Sequence, residues 1–158
     1  MLPVPLLAEN CDSEQHRQFD FWVGEWRVEN PEGRLVGRNR IESILDGCAL
    51  MESWQGGSGY NGHSLNTWDP AGGHWRQFWT DNHDLTLHLE GGWEDDRMTL
   101  EGTRRDAEGR EVTDRISWIP LEDGILRQHW QQSIDGADFK TVFDGRYVPA
   151  DRAEQAED

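Results

Sequence analysis

From Trp22 onward, apolar and polar residues alternate in short runs that turn residues divide, and this pattern predicts strands rather than helices. Pro31-Glu32-Gly33, Asp46-Gly47, Gly56-Gly57-Ser58-Gly59 and Pro70-Ala71-Gly72-Gly73 punctuate the first half. Residues 81–84, Gly91-Gly92, Ala107-Glu108-Gly109, Glu122-Asp123-Gly124 and Asp135-Gly136 punctuate the second. Asp-Gly and Gly-Gly pairs supply the positive φ of tight hairpins. The spacing leaves no room for a crossover helix, so the sheet should be antiparallel throughout. The expectation is an all-β fold: a meander of about ten strands closing into a small barrel. Ahead of it, Asp12 or Ser13 is placed to cap one or two helical turns leading to Phe19. The chain then divides into an irregular arm (1–12), one barrel domain (13–148) and an acidic, helix-permissive tail expected to fray (149–158).

Alternation assigns the faces. Leu85, Leu87 and Leu89 share one face, as do Met98, Leu100 and Gly102. Leu126, Trp130 and Ile134 share another and carry Gln128 and Gln132 inward with them. Four strands repeat one device, a polar residue two positions before a Trp: Glu52 with Trp54, Asn66 with Trp68, Gln77 with Trp79, and Gln128 with Trp130.

Composition then adds constraints. A chain of 158 residues is the size at which one core is usual. It is lean at 35% hydrophobic, but nine Trp make an aromatic-rich core the expectation. A formal charge of −16 opposes binding to nucleic-acid phosphates and anionic lipid surfaces. Cys11 and Cys48 match neither a disulfide framework nor a zinc motif, and Cys48, within Cys48-Ala49-Leu50-Met51, reads as a buried thiol. Residues 1–8 are apolar but lack a basic region and a cleavage site, and no stretch approaches membrane-spanning length. A cytoplasmic protein is expected. The oligomeric state is left open.

The run Phe19-Asp20-Phe21-Trp22-Val23-Gly24-Glu25-Trp26, with Trp75-Arg76-Gln77-Phe78-Trp79-Thr80-Asp81 downstream, resembles a widespread bacterial family of lipocalin-like proteins of unknown function, the DUF1579-type group. Gly24-Glu25-Trp26 looks like the Gly-x-Trp signature of the calycins, the barrel superfamily that includes lipocalins. The likeness extends over about residues 14–148. It implies a barrel with a concave interior, closed at one end by Trp26 beneath an Arg from a late strand, for which Arg146 is the candidate. It transfers no catalytic residue.

Indoles with a few placed polar groups are what a small-molecule pocket needs. Glu52, Trp54, Asn66, Trp68, Gln77, Trp79, Gln128 and Trp130 are therefore the candidate ligand-binding residues, with Tyr60 as a lid aromatic on the Gly-rich segment. The expected partner is a small hydrophobic or amphipathic molecule, and no cofactor is called for. The alternative filling is an interior packed by these side chains. Glu52, if inward, should have a raised pKa and could serve as general acid or base in an isomerase, cyclase or hydratase. The competing reading pairs it with Arg115 or Arg127. None of the six histidines lies in a metal-binding motif. A haem reading, suggested by the related nitrobindin-type barrels, would have to use His129 and reverse the face assigned to Trp130.

Overall fold

A computed structural model describes residues 11–155. Residues 1–10, most of the expected arm, and 156–158 of the tail lie outside the described residues. Ser13 caps α1 (Glu14–Arg17) by accepting the His16 amide at 3.3 Å. A single 3-10 turn (Asp20–Trp22) leads into β1 (Gly24–Glu29). The remaining strands are β2 (Leu35–Ile44), β3 (Ala49–Gly56), β4 (Asn61–Asp69), β5 (His74–Asp81), β6 (Thr86–Glu94), β7 (Arg97–Arg105), β8 (Glu111–Pro120), β9 (Leu126–Ile134) and β10 (Lys140–Pro149). A short α2 (Ala150–Gln155) follows. Each strand pairs antiparallel with its sequence neighbour, and β1 pairs with β10, with Val28 opposite Tyr147. The ten-strand meander is a closed barrel, which leaves no sheet edge unpaired. Among the described residues no helix is long and apolar enough to cross a membrane.

The two barrel ends differ. One is filled. Phe19 and Trp22, both fully buried, stack at 4.8 Å, and the rings of Trp75 and Trp118 meet the Phe19 ring edge-on at 5.5 and 5.0 Å. This plug rests on Trp26, Met98, Leu100 and Leu126. At the other end Trp54, Trp79, Trp130 and Phe143 are only partly buried.

Three expectations are corrected here. First, Gly91-Gly92 is not a turn but lies within β6, and the hairpin bends instead at Asp95-Asp96, both at positive φ (52° and 58°). The glycine is needed for closeness: a Cβ at Gly91 would sit 2.0 Å from the Thr99 carbonyl oxygen. Second, Arg146 does not cover Trp26. It lies opposite Glu29 and faces outward, 3.7 Å from that carboxylate. Alternation along β10 gives the inward place to Tyr147, whose ring meets Trp26 edge-on at 5.8 Å. The Trp26 indole instead donates to the Trp22 carbonyl at 2.8 Å, so Trp26 holds the plug.

Third, Cys48 is not a free thiol: Cys11 and Cys48 form a disulfide. The segment before α1 doubles back past the 3-10 turn at Leu45–Gly47, where Arg17 donates to the carbonyls of Gly47 (2.5 Å) and Cys11 (3.1 Å). That return path is a tertiary contact, which cysteine spacing alone does not encode.

Candidate functional site

At the open end the inward side chains of β2, β3, β5, β6, β8, β9 and β10 surround a cavity of about 240 Å³. Trp54, Trp79, Trp130, Phe143 and Tyr60 form its aromatic wall and mouth, while Glu52, Gln77, Gln128 and Tyr147 form its polar floor. None of the described residues lining it is a Lys, Arg or His. Three wall aromatics are held back against the barrel by glycines, on the neighbouring strand for Trp54 and Trp79 and two residues along the same strand for Phe143. A Cβ at Gly37 would meet the Trp54 ring at 2.6 Å, one at Gly62 the Trp79 ring at 2.2 Å, and one at Gly145 the Phe143 ring at 2.7 Å. Missing side chains make seats for large ones beside them. Gly62→Ala should therefore drive Trp79 off its seat and shrink the cavity, at a stability cost of about 1–3 kcal/mol. Thermal unfolding, read beside probe binding, checks both effects; an unchanged midpoint with unchanged binding would refute the seat.

Two carboxylates fix the wall indoles. Asp81, at the end of β5, accepts from the Tyr60 hydroxyl and from Trp79 Nε1 (3.0 Å). Burial alone would raise the Asp81 carboxyl, but the bonds from Tyr60, Trp79 and the amides of His83 and Leu85 hold it below its ordinary value. Burial and the Asp81 bond push the Tyr60 phenol up, so it stays protonated and keeps donating. Asp114, 1% exposed, accepts from Trp130 Nε1 (2.9 Å), Gln132 Nε2 (2.9 Å) and Arg104 Nε (2.7 Å).

The floor is one continuous chain of hydrogen bonds. Gln77 Nε2 donates to Asn66 Oδ1 at 2.7 Å, and Asn66 Nδ2 donates to Ser64 Oγ at 2.9 Å. Ser64 donates to Glu52 Oε1 at 2.7 Å. From the other side Asn39 Nδ2 donates to Glu52 Oε2 (2.7 Å) and to the Tyr147 hydroxyl (2.9 Å), which donates in turn to Gln128 Oε1 (2.5 Å). Burying so many polar groups is costly unless they satisfy one another, and these do so except at Asn39 Oδ1, which is buried without a partner among the described residues.

Glu52 is 4% exposed. Burial raises its pKa above the ordinary 4.5, against the opposing pull of its bonds to Ser64 and Asn39. Arg115 and Arg127 are not its partners. They point outward to Glu101 (2.9 Å) and Asp144 (2.8 Å). Because the folded carboxyl ionises at higher pH than the unfolded one, the stability it confers is present below 4.5 and is lost as pH rises through the raised value. Glu52→Gln does not titrate, so its stability relative to wild type should climb across that window and then level off. Urea midpoints of both proteins over a pH series test this; parallel curves would show that Glu52 does not titrate there.

Of the sequence candidates, Glu52, Trp54, Gln77, Trp79, Gln128, Trp130 and Tyr60 meet at this cavity. Asn66, fully buried, lies one bond beneath the floor rather than on it. Trp68 is displaced furthest. It shares the inward face but sits opposite Trp75, toward the filled end, because β4 runs antiparallel to β3 and β5: two residues on from Asn66 lead away from the open end, whereas two on from Glu52 or Gln77 lead toward it. Asn39, Ser64, Phe143, Tyr147, Asp81, Asp114 and the seat glycines had not been singled out. Parity alone puts Ser64 inward with Asn66, and Tyr147 inward with Phe143, but the hydrogen bonds joining them depend on strand register. His129 lies on the outer face, with Nε2 2.8 Å from the Thr141 hydroxyl, so the side chain the haem reading required does not reach the cavity. Among the described residues no group of three His, Cys, Asp or Glu side chains is placed to hold a metal ion.

In comparison with known proteins, no family model matches the chain, and no curated protein matches it.

Proposed function

We propose that this protein binds a small, mostly apolar molecule within the open end of its barrel, as a lipocalin-like carrier or sensor. The observation that carries the reading is the cavity itself: aromatic wall, polar floor, and a volume of about 240 Å³ that nine Trp side chains do not fill. An apolar cavity of about 150 Å³ takes a guest the size of benzene, so this one suits a guest on the order of a dozen heavy atoms. Apolar area supplies affinity and the floor supplies orientation. The resemblance of the Phe19 to Trp26 run to the DUF1579-type calycins supports the same reading.

The enzymatic alternative draws less support. Both Glu52 oxygens are already occupied by Ser64 and Asn39, so a proton-transfer role would first have to break one of these bonds. The Cys11–Cys48 bridge is of a kind kept in oxidising compartments, which argues against the cytoplasmic placement expected from the sequence.

Titration with small alkylbenzenes, followed by Trp fluorescence, should give a saturable change, and native mass spectrometry should show an equimolar complex. Trp79→Ala and Trp130→Ala should each weaken binding about tenfold, as expected for loss of roughly 1.4 kcal/mol of contact. No saturable change with any probe, and no adduct on protein purified from its own host, would refute the reading.

A further inference from the structure

We infer that the cavity selects a guest whose polar head is uncharged and carries both a hydrogen-bond acceptor and an N–H or O–H donor, such as a primary amide, because the chain running through Glu52 presents one donor and one acceptor on the floor. The inference rests on the ligand-binding reading above and narrows it to a class of guest.

Hydrogen bonds have direction, and these directions propagate from Glu52. With both its oxygens accepting, Ser64 must give its only proton to Glu52 and so accepts from Asn66 Nδ2. Asn66 then turns Oδ1 to Gln77, which must answer with Nε2. Gln77 is left with its acceptor, Oε1, for the cavity. On the other arm Asn39 donates to both Glu52 and the Tyr147 oxygen, so the phenolic proton goes to Gln128 Oε1. Gln128 is left with its donor, Nε2. Both glutamines line the cavity, and among the described residues neither spare atom has a protein partner. A guest offering only an acceptor, or only a donor, leaves one of them unpaired at a buried surface, and that is penalised.

Charge points to the same head. No cationic residue among those described lines the cavity to receive a carboxylate, and the nearest ionisable floor groups are Glu52 and Tyr147. A cationic head would find the aromatic wall but would meet the Gln128 donor, with Glu52 already saturated. The titratable groups facing Glu52 are Tyr147 from β10 and His63 from β4, whose Nδ1 lies 3.2 Å from the Glu52 carbonyl oxygen; β2 offers neutral Asn39 and Ile41.

Glu52 is thus a positioning residue. Placing a proton donor at this position reverses one arm. Reversal through Ser64 exposes Gln77 Nε2 and gives two donors, whereas reversal through Asn39 exposes Gln128 Oε1 and gives two acceptors. Either way the mixed pair is lost.

The test uses four probes with one phenylethyl body: 3-phenylpropanamide, 4-phenyl-2-butanone, 3-phenylpropanoate and 3-phenylpropylammonium, each titrated by Trp fluorescence. The quantity read is the amide-to-ketone affinity ratio, compared between wild type and Glu52→Gln so that the hydration of the free probes cancels. The ratio should shift by about tenfold in the variant, one hydrogen bond's worth of discrimination: down if the Ser64 arm reverses to leave two donors, up if the Asn39 arm reverses to leave two acceptors that the ketone cannot meet. In wild type it should also shift on acidification through the Glu52 range, a measurement that stands if the variant fails to fold. An unchanged ratio in both experiments, or tighter binding of the carboxylate or the ammonium than of the amide, overturns this inference while leaving the ligand-binding reading intact. Failure of every probe, alkylbenzenes included, overturns both.

Discussion

Trp22→Ala is expected to remove about 3–5 kcal/mol of stability, the range for truncating a large aromatic in a packed core. Trp22 is 0% exposed, stacks on Phe19 at 4.8 Å and lies 5.3 Å from the Trp118 ring, so no solvent can refill the space. Its removal leaves a void where Phe19, Trp75 and Trp118 converge. Against a total of about 5–15 kcal/mol for a domain of this size, the loss places the variant near the edge of folding. Trp22→Phe is the control. The Trp22 indole N–H is buried without a partner among the described residues, so the phenyl ring removes an unsatisfied donor along with some contact and should cost much less. Urea unfolding of the three proteins decides the matter; a loss below about 1 kcal/mol for the alanine variant would mean the plug collapses to fill the gap.

Breaking the Cys11–Cys48 bridge should cost about 4 kcal/mol, from the entropy an unfolded chain regains when a loop with a sequence separation of 37 is released. The bridge closes a loop containing α1, the plug and the first two strands, so the released entropy belongs to the part that seals the filled end. Cys11→Ser with Cys48→Ser, or reduction of the wild type, should lower the urea midpoint and steepen the slope, because the released unfolded chain exposes more surface. Probe binding to the surviving folded protein should persist, since the cavity opens at the opposite end. A cost near zero would show that Arg17, bonded to both Gly47 and Cys11, already secures the segment. Because Trp22 and the bridge act on the same segment, the two losses should not add.

The barrel was legible because its cues are local. Asp-Gly turns and two-residue alternation announce hairpins, and ten hairpin-linked strands have one simple way to close. Glu52, Gln77 and Gln128 were legible for the same reason: each precedes a Trp by two positions, and parity carries both inward. Position along the barrel axis was not. Trp54 and Trp68 obey one local rule, yet the first lines the cavity and the second lies toward the filled end, because they sit on antiparallel neighbours along which the same two-residue step runs toward opposite ends. Arg146 and Tyr147 show the sharpest limit: adjacent residues take opposite faces, so an assignment by motif fails on a single step. The partners of Glu52 and the return of Cys11 to Cys48 join residues far apart in sequence, which no local pattern records.

The glycine seats carry one more consequence. Gly37, Gly62 and Gly145 present no atom to a guest, yet each sets how far a wall aromatic leans into the space a guest would occupy. Capacity is therefore heritable at positions a guest never touches. Two proteins with identical contact residues could admit molecules of different size, and a comparison restricted to the binding surface would call them equivalent.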